Sequence, residues 1–347
     1  MFIPDYRNIV NAAKNLKTAR IPLYEHTVSP KIMEKLLNKK FSDLNNGSMS
    51  DKNEYYKHHN NFFPEFGYDA VSWECWLGPV MPGSGSLGGH KEGEIQNRGD
   101  FEKYPWDSVE EIFFNQYRDH LEAFGNNLPK GTLGIGGVGN GLFECVQEIT
   151  GFENLCYIRA DDEKLFGELF AKTADLMAVV WTRFLREYGD LFCVCRIGDD
   201  LGFKSNTLLT AEDIKKHIIP QYRRFSKIIH NAGKPFLLHS CGCIFSVMDD
   251  FIEAGIDAKH SNEDVISPYS RWIDDYGDRI GNFGGIDTDI LCQSSRVDTA
   301  LRTAEIYKLC AAKGKGAAIG SGNSIPDYVS PEKYTLMIDT VRKLRND

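Results

Sequence analysis

The stretch LFCVCRIGDD (residues 191–200), with TAEDIKKHIIPQYRRFSKIIHNAG (210–233) and PFLLHSCGC (235–243) behind it, decides the fold. It reads as an apolar run, a polar turn, a helix opened by the hydroxyl N-cap of Thr210, and a second apolar run ending in polar residues. Two strands joined by a helix of this length run parallel, because the crossover carries the chain back to the end where it started. The same pattern recurs outward in both directions. Strands are predicted at residues 20–25, 68–73, 132–137, 191–197, 235–239, 256–260, 279–284 and 316–320. Helical periodicity occupies 29–37, 109–124, 162–188, 211–232, 247–254, 268–276, 297–312 and 331–345, the last opened by Ser330 as N-cap and Pro331 at the first helical position. Eight alternating units predict one α/β domain over residues 1–347, a single (β/α)8 TIM barrel with an N-terminal helical extension. Residues 79–107, rich in glycine and alternating polar residues, predict an insertion built as a β-hairpin and loop.

Composition narrows the function. The 347 residues carry 49 acidic and 40 basic side chains, a formal charge of -9 that argues against a nucleic-acid surface. A hydrophobic content of 42% supports a sizeable core. No apolar run approaches the length of a membrane span, and the N-terminus lacks the apolar centre of a signal peptide, so the expectation is a cytoplasmic protein with no membrane segment. Nine cysteines form no disulfide framework, which leaves those close to histidine as metal candidates.

In such a barrel the reactive groups stand on the loops that follow the strands. Those positions hold Glu25 and His26, then Trp73, Glu74 and Cys75, then Asn140 and Glu144, then Asp199 and Asp200. The later strands add His239, Cys241 and Cys243, then His260, Glu263 and Asp264, then Asp287, and finally Ser321, Asn323 and Ser324. Any one of them is accounted for by an exposed strand end; acids, imidazoles and thiols from different strands converging on one mouth are not. His239 and Cys241 lie two apart, so their side chains turn to one side, and imidazole with thiolate suits Zn2+. Zinc takes at least three protein donors, and the spacing does not select the third. Asp200 is a candidate general base and Asp199 a turn residue. Trp73, Trp76 and Phe143 are read either as core or as the lining of a small apolar pocket. GIGGVG (134–139) matches a dinucleotide fingerprint in form only, since the glycines fall within a strand; it is read as a loop that lets a ligand approach the backbone.

HSCG at the fifth strand, the aspartate pair at the fourth, YGDRIGNFGGID (276–287) at the seventh and GSGNSIPDYVSPEKY (320–334) near the end together resemble the uroporphyrinogen decarboxylase superfamily. The resemblance runs from about Asp5 to Leu344 and is closer to its cobalamin-associated methyltransferase branch than to the true decarboxylases. It implies a (β/α)8 barrel and, in that branch, methyl transfer involving a corrinoid protein. The decarboxylases hold a porphyrinogen with N-terminal arginines that this chain lacks, and Glu25 and Glu74 at the mouth are expected to repel such a polycarboxylate. In the coenzyme M enzymes of the branch, zinc is bound by a His-x-Cys pair and a later cysteine. His239 and Cys241 match the pair, whereas the later cysteine falls at Ser321.

The resemblance therefore implies a methyltransferase moving a methyl group between a small methylated substrate and a corrinoid protein, or a thiol or folate acceptor, with zinc assistance. Methylcobalamin would be carried by a separate partner protein, and a homodimer is expected. Asp200, His239, Glu144 and Glu74 are the candidate catalytic groups, and Glu25, His26, Trp73, Asn140, His260, Glu263, Ser321 and Asn323 the candidate substrate contacts. A small-acid decarboxylase and a non-catalytic corrinoid- or tetrapyrrole-binding protein are the alternatives.

Overall fold

The computed structural model describes residues 2–89 and 91–347. Among the described residues nine strands are present: β1 (Val71–Ser72), β2 (Cys75–Trp76), β3 (Gly134–Gly136), β4 (Val138–Gly139), β5 (Phe192–Gly198), β6 (Phe236–His239), β7 (Ala258–His260), β8 (Gly281–Ile286) and β9 (Ala317–Ser321). Seven form one curled, all-parallel sheet in the order β1-β3-β5-β6-β7-β8-β9, and β2 pairs with β4 as a short parallel continuation of β1 and β3. Every residue of β5 is buried, as expected of a strand covered on both faces.

The first predicted strand closes the curve as a single backbone bridge. Leu23 pairs in parallel with Ile319, the Tyr24 N–H donates to the Ile319 carbonyl, and the Ile319 N–H donates to Pro22, each at 2.9 Å. Pro22 has no N–H, so the ladder cannot lengthen there. On its other side the Ser72 hydroxyl donates to the His26 carbonyl at 2.6 Å, linking the first and second strand positions. The result is a (β/α)8 TIM-barrel fold, as the alternation predicted.

The outer helices follow the predicted register. Thr210 accepts from the Asp213 N–H, and Ser330 from the Lys333 N–H ahead of the helix Pro331–Arg345. The predicted helix over 211–232 contains a π-turn at Ile214–Ile218, just ahead of Pro220, whose missing N–H breaks the regular ladder. The N-terminal extension forms the helix Arg7–Ala13, which buries Ile9, Ala12 and Ala13 against Ala70, Val194, Leu237 and Phe283. Helices Met49–Glu65, Leu142–Thr150 and Phe152–Asp161 were not anticipated from periodicity.

Two expectations are corrected. Residues 79–107 hold a 3-10 turn (Gly78–Val80) and a short helix (Arg98–Lys103), and no strand occurs there among the described residues, so no β-hairpin is formed. The glycine-rich stretch serves strand packing instead of ligand approach. At Gly136 (φ +155°) an added Cβ would lie 1.7 Å from the Trp73 carbonyl oxygen, and at Gly141 it would lie 2.0 Å from Asp199 Cβ. Among the described residues no helix is long and apolar enough to cross a membrane.

Candidate active site

The parallel register gathers the site. Gly198, His239 and His260 lie side by side across β5, β6 and β7, so both imidazoles leave the same end of the sheet. The His26 ring stacks on His239 with centroids 3.9 Å apart and planes 19° from parallel. His239 Nδ1 meets His260 Nδ1 at 2.7 Å, and His260 Nε2 meets the Ser321 carbonyl at 3.0 Å. All three histidines are buried, and burial holds each well below the usual imidazole range, His260 down to about 3.

The outer face of His239 carries the candidate metal ligands. Its Nε2 lies 3.5 Å from Cys241 Sγ and 3.7 Å from Asp200 Oδ1. One ligand atom from each of Asp200, His239 and Cys241 lies within 4.8 Å of the others, so one ion could touch all three. Nitrogen, sulfur and carboxylate oxygen are the donor types zinc accepts, and the set fits it. Cys241 is anchored by its N–H on Asp200 (2.8 Å), by Asn323 Nδ2 donating to the sulfur (3.2 Å) and by the Ser261 hydroxyl (3.6 Å). Burial first, and then the Asp200 charge, push the thiol up to about 12, so without a cation it keeps its proton. Cys243, offered by spacing as another donor, is half-buried and belongs neither to this group nor to the other cluster that could hold an ion among the described residues, His26, His239 and His260.

Beside this group stands a pair of acids. Glu144 accepts from the Asp200 N–H at 3.3 Å and from Asn140 Nδ2 at 2.9 Å. Burial, then the charges of Asp200 and Asp199, raise its carboxyl well above the usual range. Asn140 adopts φ +63° and accepts the Gly78 N–H, fastening Glu144 to the loop after the second strand. Asp199 has the structural part of the pair. It accepts from the Phe143 and Glu144 N–H groups and from the Tyr222 hydroxyl, anchoring the start of helix Leu142–Thr150, and burial pushes it up to about 6.

Several predicted contacts lie elsewhere. Strand side chains alternate, so Ser72 and Glu74 point inward to Arg196 while Trp73 points outward and stacks on Phe124 at 5.0 Å. Trp73 is thus packing between sheet and helices, and Phe143 is likewise enclosed in the outer core. Glu25 and Glu74 do not present charge at the mouth, contrary to expectation. Glu25 is 1% exposed and receives the Ser321 and Tyr68 hydroxyls, with burial raising it to about 8. Glu74 is paired with the enclosed Arg196 at 2.9 Å. Ser321 consequently turns to Glu25 instead of standing where a third zinc-binding cysteine would. Glu263 lies half-buried on the loop after β7, outside both ligand clusters, and Asp287 caps helix Thr288–Gln293.

Two charged groups escaped the sequence reading. Arg196 sits fully buried inside the barrel, where its guanidinium bonds Glu74, Ser72 and Tyr24. An arginine within an otherwise apolar strand was the available signal, since it requires enclosed partners. Lys259, equally buried on β7, places its ammonium over Trp272, 3.7 Å from the ring centroid, and on the Ser261 carbonyl; burial lowers it to about 7.

A family description, Uroporphyrinogen decarboxylase (URO-D), matches residues 95–344. No curated protein sequence is matched. Among solved structures, a methyltransferase from Methanosarcina mazei superposes with a TM-score of 0.73 at 12% identity, covering 97% of this chain and 98% of that one. A family 5 glycoside hydrolase from Prevotella bryantii follows at a TM-score of 0.47 and 10% identity, with 100% of both chains covered. The 3-keto-D-glucoside 4-epimerase from E. coli superposes at 0.44 and 11% identity, over 84% of this chain and 95% of its own. The likeness to the Methanosarcina mazei protein shows the barrel, whereas the family match spans more than half of the sequence: the chain belongs to the uroporphyrinogen decarboxylase (URO-D) family.

Proposed function

We propose that this protein is a methyltransferase that takes a methyl group from a small methylated compound and delivers it to a corrinoid held by a separate protein. The observation that carries the reading is the Asp200–His239–Cys241 group beside Glu144, a buried acid whose carboxyl is raised well above the usual range, at the mouth of a URO-D-family barrel. The family match and the fold shared with the Methanosarcina mazei methyltransferase support it.

Asp200, His239 and Cys241 would hold a zinc ion. Zinc, when bound there, supplies Lewis acidity toward an oxygen, nitrogen or sulfur atom of the methyl donor. The corrinoid supplies the cobalt chemistry that accepts the methyl group. The chain itself contributes orientation and a proton. Glu144, held by Asn140 and the Asp200 N–H, is aimed to protonate the leaving heteroatom as its methyl bond breaks. Asn323 and Ser261 fix the Cys241 sulfur, and buried His26 keeps the His239 face dry.

The test is spectroscopic. Purified chain is incubated with cob(I)alamin and a panel of methoxylated, methylamine and methylthiol donors, and formation of methylcobalamin is followed by absorbance. The expected result is methylation with at least one donor class. Carbon dioxide release from a small acid with no methylcobalamin formed would replace this reading by the decarboxylase alternative.

A further inference from the structure

We propose that His260 is a positioning residue which, with the Ser321 backbone carbonyl, holds His239 in the tautomer protonated on Nδ1 and so presents a bare Nε2 toward Cys241 and Asp200. Each nitrogen along this chain of contacts has only one proton assignment that satisfies its partner. A carbonyl oxygen only accepts, so the 3.0 Å contact from Ser321 requires the proton of His260 to sit on Nε2. A neutral imidazole carries one N–H, which leaves His260 Nδ1 as an acceptor. The 2.7 Å approach of His260 Nδ1 to His239 Nδ1 needs one proton between the two nitrogens, and only His239 can supply it. His239 has then spent its N–H inward, and its Nε2 lone pair is directed outward, 3.5 Å from Cys241 Sγ and 3.7 Å from Asp200 Oδ1.

The surroundings keep His260 neutral. It is fully buried, its ring contacts are Tyr24, His26, His239 and Ser321, and the charges facing it are the cations Arg196 and Lys259. A second proton on it would be a buried charge with no carboxylate partner. The rings are also fixed in plane. The register pairs His239 with His260 across β6 and β7, and His26 stacks on the His239 ring. A metal ligand whose second nitrogen is committed in this way has its ring orientation and its free nitrogen set before any ion arrives.

The consequence for metal binding rests on the zinc reading above, but the tautomer does not. It is read in the metal-free chain labelled with 15N-histidine, by long-range 1H–15N correlation of the ring nitrogens. Wild type is expected to show His239 with Nδ1 protonated and Nε2 bare. His260→Leu, which removes the acceptor at similar volume, is expected to move the His239 proton to Nε2 and to weaken zinc binding, in chelator competition, by about 10- to 100-fold. His260→Asn, whose amide oxygen can take the place of Nδ1, is expected to restore zinc affinity to within about threefold of wild type. A wild-type His239 protonated on Nε2 overturns the proposal, as does a folded His260→Leu chain that binds zinc as wild type does. If the leucine variant does not fold, the wild-type spectrum decides alone. A wild-type chain with the expected tautomer and no zinc affinity would remove the metal reading and leave the relay standing.

Discussion

The hydroxyl of Ser321 donates to the carboxylate of Glu25 inside the barrel. The consequence is a buried acid with a raised pKa, about 8, where an unfolded glutamate titrates near 4.5. Between those values the native state binds a proton that the unfolded chain does not, so this contribution to stability is lost as pH rises through the window. Glu25→Gln cannot titrate. Its unfolding free energy, measured against wild type in denaturant at pH 5 and pH 8, is expected to rise relative to wild type by about 3.5 kcal/mol between the two. A difference that stays flat with pH would refute the assignment.

Arg196 and Glu74 form an ion pair shut off from solvent. Removing one partner strands the other. Arg196→Met is expected to cost about 3–5 kcal/mol in chemical denaturation, and the double variant Arg196→Met/Glu74→Leu to recover part of that loss. Equal or additive destabilisation in the double variant would show that the two do not act as a pair.

One zinc per chain is expected in purified protein, held by Asp200, His239 and Cys241. Asp200→Asn and Cys241→Ser should each weaken zinc by at least about tenfold, while Cys243→Ser leaves it unchanged. Metal analysis with chelator competition checks all three, and a loss in Cys243→Ser equal to that in Cys241→Ser would move the sulfur ligand.

Glu144 keeps its proton above the usual carboxylate range because it is buried beside Asp200 and Asp199. As the proton donor of the proposed reaction it supports turnover below its raised pKa and fails above it. Glu144→Gln is expected to lower the rate of cobalamin methylation by about 100-fold or more and to abolish that alkaline limb. An unchanged pH profile in the variant would assign the proton to another group.

The sequence by itself determined the barrel and its polar mouth. The alternation of apolar runs and helices is local, and residues after each parallel strand must emerge at one end whatever the details of packing. His239 and Cys241 were legible for the same reason, because two residues apart on a strand end means one side. Direction decided the rest, and direction belongs to the assembled sheet. Trp73 faces the helices because Ser72 and Glu74 claim the interior, which only the neighbouring Arg196 makes visible. The third candidate donor, Asp200, lies 41 residues from Cys241 in sequence, and the Asp200 N–H on Glu144 and the Cys241 N–H on Asp200 turn that carboxylate toward β6. Glu25 and Glu74 counted as mouth charges in the sequence, and tertiary structure withdrew both, one by burial with its proton and one by pairing. Spacing can place a residue at the end of a strand; only the closed barrel fixes which atoms it meets there and which proton it carries.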